Sequence, residues 1–246
     1  MRPPIGYTLL TDGACRAVIR DDLVSLLAPW LLAPRLEVPA GAEQLGAGRG
    51  AAHRIRLEGV PVAVLRLGRR GGLLGRFVRE RYLDLRPRPW RELAVTLAAR
   101  TRGAPVPEVL AARVEGWLAY RSAILTAEVP NARTAMDALR VAPAEAKAAI
   151  AAAAATAVAR LHDAGVRHAD LNLSNILIAD GAGTIVDLDR ARLVVGPLGA
   201  AARRRNLLRL CRSARKLDRP GRVIDDGTRR AFGAAYAALG GPACAS

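Results

Sequence analysis

The sequence predicts an α+β fold, with strands in its first half and helices in its second. Val60–Leu67 alternates apolar and polar residues as a half-buried strand does, and Ala123–Val129 is a second strand-like run. Pro143–Asp163, in contrast, is a long run of helix-forming residues that Gly165 ends. At 246 residues the chain is long enough for one large domain or two closely packed lobes.

The composition is that of a folded protein without disulfides or a membrane span. Apolar residues make up 51% of the chain, which excludes disorder. The three cysteines are far apart and odd in number, so we expect neither a disulfide framework nor a zinc site, and a reducing compartment is favoured. The most continuous uncharged run, Ala148–Ala159, is too short to cross a bilayer. It predicts a buried helix packed through small side chains, and no secretory signal is recognisable.

A formal net charge of +16 and a pI near 11.3 point to an anionic partner. Nearly all of this charge is arginine, since the only lysines are Lys147 and Lys216. Nucleic acid and an anionic membrane are the two partner classes that such a charge suggests. Aromatic residues are only 4% of the chain, too few for base-stacking platforms, so we expect no nucleic acid.

The first 60 residues contain one candidate helix and one glycine-rich loop. Asp22–Leu32 has apolar residues at helical spacing, namely Leu23, Leu26, Leu27 and Trp30, and core packing is the favoured interpretation over a membrane-touching face. Gly46, Gly48 and Gly50 then form a Gly-x-Gly-x-Gly run. Such glycines let backbone amides approach phosphate groups, although an ordinary flexible hairpin has the same composition.

Strands and helices then follow in order along the chain. Val60–Leu67 carries Arg66, and Pro89–Arg102 is predicted as a helix with Glu92 in its first turn. Further strands are expected near Val109–Arg113, Trp117–Arg121 and Ala123–Val129. Helices are expected at Thr134–Leu139, Pro143–Asp163, Arg203–Arg219 and Thr228–Leu239. The helix at Arg203–Arg219 is basic and amphipathic, a pattern typical of a membrane-facing helix or of a solvated face.

The segment Leu161–Arg190 concentrates the groups that can do chemistry. Ile176–Ile178 and Thr184–Val186 predict a β-hairpin around a turn rich in glycine. Asp170 and Asn175 precede this hairpin, and Asp187 follows it directly. Two carboxylates and an amide around one hairpin can hold a divalent cation together with a general base, because hard cations prefer oxygen ligands.

Two stretches within that segment resemble protein-kinase motifs. Residues 168–175, HADLNLSN, resemble the catalytic loop H-R-D-L-x-x-x-N with Ala169 in place of Arg, and Asp187-Leu188-Asp189 resembles the D-F-G site. The resemblance implies a two-lobed protein-kinase-like fold, with a small β-rich N-terminal lobe over 1–129 and a larger helical lobe over 130–246. It also implies that Asp170 is the catalytic base and that Asn175 and Asp187 bind Mg²⁺.

The kinase resemblance also assigns roles in the N-terminal half. Arg66 stands where a kinase has the lysine that contacts the ATP phosphates, and Glu92 is placed to pair with it. The loop with Gly46, Gly48 and Gly50 would then cover the phosphates. Two alternatives stay open: Arg66 as an outward-facing strand residue, and Glu92 as an acid that merely suits a helix N-terminus.

A narrower resemblance is carried by several motifs in order, namely Arg69-Arg70-Gly71-Gly72, Pro105-Val106-Pro107, Asp170-Leu171-Asn172, Asp187-Leu188-Asp189 and Asn206–Ser213. Together they resemble the 3-deoxy-D-manno-octulosonic acid (Kdo) kinases, a family of lipopolysaccharide kinases, over roughly Gly48–Ser213. Leu188 replaces the family's usual Phe. The resemblance implies ATP-dependent phosphorylation of a Kdo sugar on a lipid A precursor. It also implies peripheral attachment to the anionic cytoplasmic face of a bacterial inner membrane.

Two other functions remain compatible with these residues. A kinase-fold phosphotransferase acting on another sugar, a small molecule or a protein would share Asp170, Asn175 and Asp187. A pseudokinase scaffold is also compatible, because position 66 lacks a lysine. An acceptor screen with labelled ATP separates the first alternative, and full cellular activity of an Asp170→Ala variant would favour the second.

Overall fold

The computed structural model describes residues 2–45, 52–69, 87–116, 120–218 and 223–240. Contacts divide the chain into two compact units. The first comprises Met1–Ala94 and Glu108–Glu128, and the second comprises Val95–Pro107 and Val129–Ser246. The predicted division into lobes of residues 1–129 and 130–246 stays a prediction.

The first unit is built on a seven-stranded antiparallel sheet of spatial order β1-β2-β6-β7-β5-β4-β3. Its strands are β1 (Tyr7–Asp12), β2 (Cys15–Arg20), β3 (Glu43–Leu45), β4 (Ala52–Ile55), β5 (Ala63–Arg69), β6 (Val109–Gly116) and β7 (Tyr120–Ala127). The predicted strand over Val60–Leu67 therefore begins three residues later. The two strands predicted at Trp117–Arg121 and Ala123–Val129 are wrong in one respect: from Tyr120 onwards they form one continuous strand, β7.

Helix α1 (Val24–Leu31) follows a 3₁₀ turn and packs on this sheet. Leu23, Leu27 and Leu31 are buried in the first unit's core, whereas Leu26 is 46% exposed. The expectation that this segment packs into a core is confirmed, but the inclusion of Leu26 is wrong, because residues four apart share the buried stripe. Fully buried Arg113 on β6 donates to the carbonyl of Leu31 at 2.6 Å, at the carbonyl end of α1.

Helix α2 (Arg88–Thr101) begins in the first unit and ends in the second. Its predicted span, Pro89–Arg102, is confirmed to within one residue at each end. Trp90, Leu93 and the side chain of Glu92 are buried. Gly103 has a positive φ of 82° just past the helix, the conformation that ends many helices and that glycine adopts without strain.

The second unit contains the helices α3 (Ala135–Val141), α4 (Ala144–Asp163), α5 (Ala200–Leu217) and α6 (Asp226–Ala238). Two small sheets accompany them: β8 (Arg133–Thr134), β10 (Ile176–Ala179) and β11 (Ala182–Ile185) form one, and β9 (Val166–Arg167) with β12 (Arg192–Leu193) forms the other. The four predicted helices are confirmed with small shifts of their ends. Thr134 caps α3 and Asp225 caps α6 through side-chain oxygens that accept backbone N–H groups.

Alanines let the β10–β11 hairpin pack closely on α4. Much of the Ala148–Ala159 run is buried in the core of the second unit, as predicted. A Cβ added at Gly183 on β11 would lie 2.7 Å from the carbonyl oxygen of Ala153 and 2.8 Å from Cβ of Ala157. Only glycine on the strand and alanine on the helix leave room for this approach. Among the described residues, no helix is both long and apolar enough to cross a membrane.

Candidate active site

The hairpin that carries the candidate site is tightened by a two-residue turn. Asp180 and Gly181 connect β10 to β11, and both have positive φ, 48° and 73°. Asp-Gly with two left-handed residues is the sequence that a type I′ hairpin turn prefers. The predicted hairpin is confirmed. Asp187 follows its second strand with only Val186 in between.

The loop before the hairpin is held by Asn172. Its Oδ1 accepts the backbone N–H groups of Ser174 at 2.8 Å and Asn175 at 3.1 Å, which caps the 3₁₀ turn Leu173–Asn175. Its Nδ2 donates to the carbonyl of Asp170 at 2.9 Å, and Asn175 Nδ2 donates to that same carbonyl at 3.0 Å. Asp170 is exposed and Asn175 is half-buried. The two amides therefore fold the loop back so that Asp170 and Asn175 are neighbours.

Asn172 belongs to the site although sequence reasoning assigned it no role. An asparagine followed by a short turn and then a strand is a recognisable capping signal, since its side chain can accept nearby backbone N–H groups. That signal could have identified it.

Backbone hydrogen bonds then tie this loop to the segment that carries Asp187. Val186 N–H donates to the carbonyl of Asn175 at 3.0 Å, and the buried His168 places Nε2 3.2 Å from the carbonyl of Val186. The N–H of Asp170 donates to His168 Nδ1 at 3.2 Å. Because Nδ1 accepts, Nε2 carries the proton and donates to Val186. The predicted site residues Asp170, Asn175 and Asp187 thus lie on segments that hydrogen bonds join to one another.

His168 is a neutral side chain that links these segments through two hydrogen bonds. Burial lowers the pKa of its imidazole, and the hydrogen bond to Val186 and the charge of Asp187 oppose this only in part. A neutral ring with one donor and one acceptor nitrogen is the form that both contacts require. His168 therefore braces the loop through these two contacts.

Asp187 adopts a left-handed backbone conformation, with φ of 64°. This conformation is strained for a non-glycine residue, so surrounding contacts must stabilise it. Such residues concentrate at functional sites. It follows β11 at the point where Ile185 N–H donates to the carbonyl of Pro105 at 2.7 Å.

Helix α5 contacts the loop at two points. Asn206 Nδ2 donates to the carbonyl of His168 at 2.6 Å, and Leu173 N–H contacts Ser213 Oγ at 3.4 Å. Asn206 and Ser213 are seven residues apart and therefore lie on one face of the helix. Both residues lie in the Asn206–Ser213 motif, but local sequence does not reveal their role, because their partners are 38 and 40 positions away in the chain.

The arginines of α5 differ in their environment. Arg203 was expected on the basic face, and this is wrong: it is buried, pairs with Asp163 at 2.6 Å and donates to the carbonyl of Leu198 at 2.8 Å. The remaining cations of the helix are exposed, namely Arg204, Arg205, Arg209, Arg212, Arg215 and Lys216. We call these six residues the basic face.

In the first unit, Arg66 on β5 forms an ion pair with Glu92 on α2. The side chain of Glu92 is 8% exposed and that of Arg66 is 27% exposed. The pairing expected from the sequence is therefore present. In the sheet, Arg66 lies opposite Ala52 on β4 and Ile124 on β7. Its role towards phosphate stays a prediction. Gly46, Gly48 and Gly50 lie outside the described residues, as do Arg70, Gly71 and Gly72.

The residues around the hairpin are of the right kind for Mg²⁺. Within the described ranges, no three His, Cys, Asp or Glu side chains form a metal cluster. A magnesium ion that also binds phosphates and water needs only one or two protein carboxylates or amides. Asn175 uses its Nδ2 on the carbonyl of Asp170, which leaves Oδ1 as its candidate ligand atom. The donor set fits the ion.

Comparisons with known proteins give one family. Residues 48–230 match the model of the "Lipopolysaccharide kinase (Kdo/WaaP) family". A 3-deoxy-D-manno-octulosonic acid kinase of Vibrio parahaemolyticus is 34% identical over 174 residues, which cover 69% of this chain and 71% of that protein. A protein of the same description from Xanthomonas campestris is 39% identical over 160 residues, covering 63% of this chain and 62% of that protein.

One solved structure shows the fold. WaaP in complex with acyl carrier protein aligns with a TM-score of 0.52 and 18% identity, over 82% of this chain and 79% of that chain. At this identity the likeness concerns the fold alone. The predicted α+β, protein-kinase-like fold is confirmed.

Proposed function

Because the chain belongs to the lipopolysaccharide kinase (Kdo/WaaP) family and is thus a phosphotransferase with an alcohol acceptor, we propose a specific reaction for it. The reaction is transfer of the γ-phosphoryl group of ATP to a hydroxyl of a Kdo sugar on a lipid A precursor. The observation that carries the proposal is the hydrogen-bonded convergence of the loop bearing Asp170 and Asn175 with the segment bearing Asp187.

Asp170 is the proposed catalytic base. Its carboxylate is exposed to an incoming hydroxyl, and its backbone is fixed on both sides, by His168 through its N–H and by two amides through its carbonyl. A positioned carboxylate orients the hydroxyl and accepts its proton, which contributes about 10²–10⁴-fold to such reactions. The rigid frame therefore supports this role.

Asn175 and Asp187 are the proposed magnesium ligands. When bound, the ion neutralises charge on the ATP phosphates. The chain's own contribution is to join the backbone segments that bear this amide and this carboxylate, through the Val186–Asn175 backbone hydrogen bond of 3.0 Å.

Arg66 is the proposed phosphate-binding cation of the first unit. Glu92 fixes its guanidinium, and a guanidinium binds phosphate through paired hydrogen bonds. The segment with Gly46, Gly48 and Gly50 is proposed to contact the same phosphates through its backbone amides.

The test is phosphate transfer from labelled ATP to a purified Kdo-bearing lipid A precursor. Asp170→Asn and Asp187→Ala should each lower kcat by at least about 10²-fold while the protein stays folded. Asp180→Asn is the matched control, because Asp180 is an exposed carboxylate on the same hairpin and asparagine tolerates its positive φ. Wild-type protein that phosphorylates a different acceptor, or none, would refute the proposal.

The basic face is proposed to attach the enzyme to the anionic cytoplasmic surface of the bacterial inner membrane. Each cation near such a bilayer contributes on the order of 1 kcal/mol, so a few of the six suffice. Binding to vesicles containing phosphatidylglycerol should fall when Arg205, Arg209 and Arg212 are changed to Gln, and should weaken with salt. Undiminished binding by that variant would exclude this helix as the contact.

A further inference from the structure

Strands β9 and β12 place two arginines directly opposite each other. Arg167 pairs with Arg192 in this antiparallel ribbon, and Val166 pairs with Leu193. Side chains that are directly opposite in an antiparallel pair project from the same face, with Cα atoms only about 4.5–5.5 Å apart. The two guanidinium groups therefore emerge side by side.

The pair lies on the solvent side of the ribbon. Val166 is fully buried and Leu193 packs against the core of the second unit, so alternation directs Arg167 and Arg192 away from that core. Arg192 is exposed and Arg167 is half-buried. Both are accessible to a dissolved ligand.

This arrangement is unfavourable without a counter-ion. Like charges directly opposite each other destabilise a strand pair. Within the described part of the chain, neither arginine has a hydrogen bond or ion pair to a carboxylate. Exposed Arg190 on the preceding turn adds a third positive charge, while Asp189 on that turn has an interaction of its own. The ribbon is therefore suited to an oxyanion.

The ribbon is also close to the proposed catalytic base. Arg167 immediately precedes His168, and Asp170 is three positions further along the chain, so their Cα atoms are at most about 11 Å apart. An acceptor whose hydroxyl reaches Asp170 can thus present another group to the arginine pair.

We propose that Arg167 and Arg192 form the acceptor's anion-binding site, which selects an alcohol that carries a carboxylate or phosphate group. The inference rests on the proposed function and extends it. An octulosonic acid carries a carboxylate by its chemical nature, and guanidinium groups bind carboxylates and phosphates through paired, charge-assisted hydrogen bonds. The site therefore explains how the enzyme distinguishes an acidic sugar from a neutral one.

The test compares Arg167→Gln, Arg192→Gln and the double variant with Arg230→Gln, an exposed arginine on α6 that serves as control. For the Kdo-bearing acceptor, KM should rise about 10- to 100-fold in the double variant, the range expected for lost charge-assisted hydrogen bonds. The kcat value should change less than about threefold, and KM for ATP should stay constant, because the pair positions the acceptor and not the nucleotide.

Two modified acceptors identify the source of the anion. If the sugar carboxylate is bound, its methyl ester raises KM for the wild type and abolishes the difference between wild type and double variant. If a phosphate of the glycolipid is bound, removing the phosphates has that effect instead. A rise in KM that is equally large for an acceptor lacking both charges would overturn the proposal.

Direct binding separates this site from the reaction. Free 3-deoxy-D-manno-octulosonic acid and inorganic phosphate, titrated calorimetrically, should bind the wild type and the Arg230→Gln control more tightly than the double variant. The double variant should melt no lower than the wild type, since removing one like-charge contact relieves repulsion. If the wild type has no kinase activity but binds these anions through Arg192, the proposed function fails and the site stands. Equal binding by all variants refutes the site.

Discussion

Asn206 on α5 donates a hydrogen bond of 2.6 Å to the backbone carbonyl of His168, and both residues are buried. His168 in turn contacts the segments on both sides of the site, through Val186 and through Asp170. The position of the loop that bears Asp170 is therefore set by a helix that begins at Ala200, 30 positions after Asp170.

Changing Asn206 to Ala should impair both stability and catalysis. The buried carbonyl of His168 would lose its donor, which costs about 1–3 kcal/mol in free energy of unfolding. Since Asp170 is two residues further along, kcat should fall while KM for ATP changes little. Urea denaturation and steady-state kinetics measure the two effects. Cys211→Ala, a change at an exposed position of α5 outside the basic face, should leave both values near wild type.

Removing the carboxylate of Glu92 should weaken nucleotide binding. Glu92→Ala takes away the group that orients the Arg66 guanidinium, so we expect KM for ATP to rise by roughly 10-fold, near the lower limit for a charge-assisted hydrogen bond. Glu43→Ala is the control in the same unit, because Glu43 pairs with Arg54 and is 56% exposed. An unchanged KM for ATP in Glu92→Ala would show that this ion pair is structural only.

Gly183 should not tolerate a side chain. In Gly183→Ala, the new Cβ would meet the carbonyl of Ala153 at 2.7 Å and Cβ of Ala157 at 2.8 Å. Overpacking of this kind costs about 1–3 kcal/mol, measured as a lower urea midpoint with an unchanged slope. Adding Ala157→Gly should recover part of the loss, because it removes one of the two clashes. A Gly183→Ala variant as stable as wild type would contradict this packing.

Stability should fall as the solution is acidified through the range set by His162. Burial, followed by the charge of Arg203, lowers the pKa of His162 from 6.5 to about 4. Below pH 6.5 the histidine is protonated in the unfolded state but stays neutral in the folded state. The free energy of unfolding therefore decreases as pH falls towards about 4, by up to about 3 kcal/mol. Below that pH the folded state also binds the proton, and this loss ends.

Denaturation of wild type and His162→Gln between pH 7 and about 4 measures this contribution. The variant should show a shallower dependence. Some dependence should remain, because the pKa of His168 is lowered by burial as well. Identical pH profiles for the two proteins would show that His162 does not carry the effect.

Local patterns were sufficient where neighbouring residues determine the structure. The Asp180-Gly181 turn, the alanine-rich α4 and the caps Thr134 and Asp225 follow from backbone preferences and short-range hydrogen bonds. The order of Asp170, Asn175 and Asp187 along the chain was also enough to predict a shared site, because a hairpin returns the chain to its starting point. Their individual roles stay predictions.

Long-range packing decided what those patterns left open. Arg203 and Arg204 are neighbours in a basic run, yet one is buried against Asp163 and the other faces solvent. The sequence by itself determined the helix, its charge and the hairpin, because these depend on residues a few positions apart. Only the tertiary structure decided which arginine enters the core, that Asn206 holds His168, and that Arg167 stands opposite Arg192. Each of these contacts joins residues 25 to 40 positions apart, whose meeting depends on how whole elements pack.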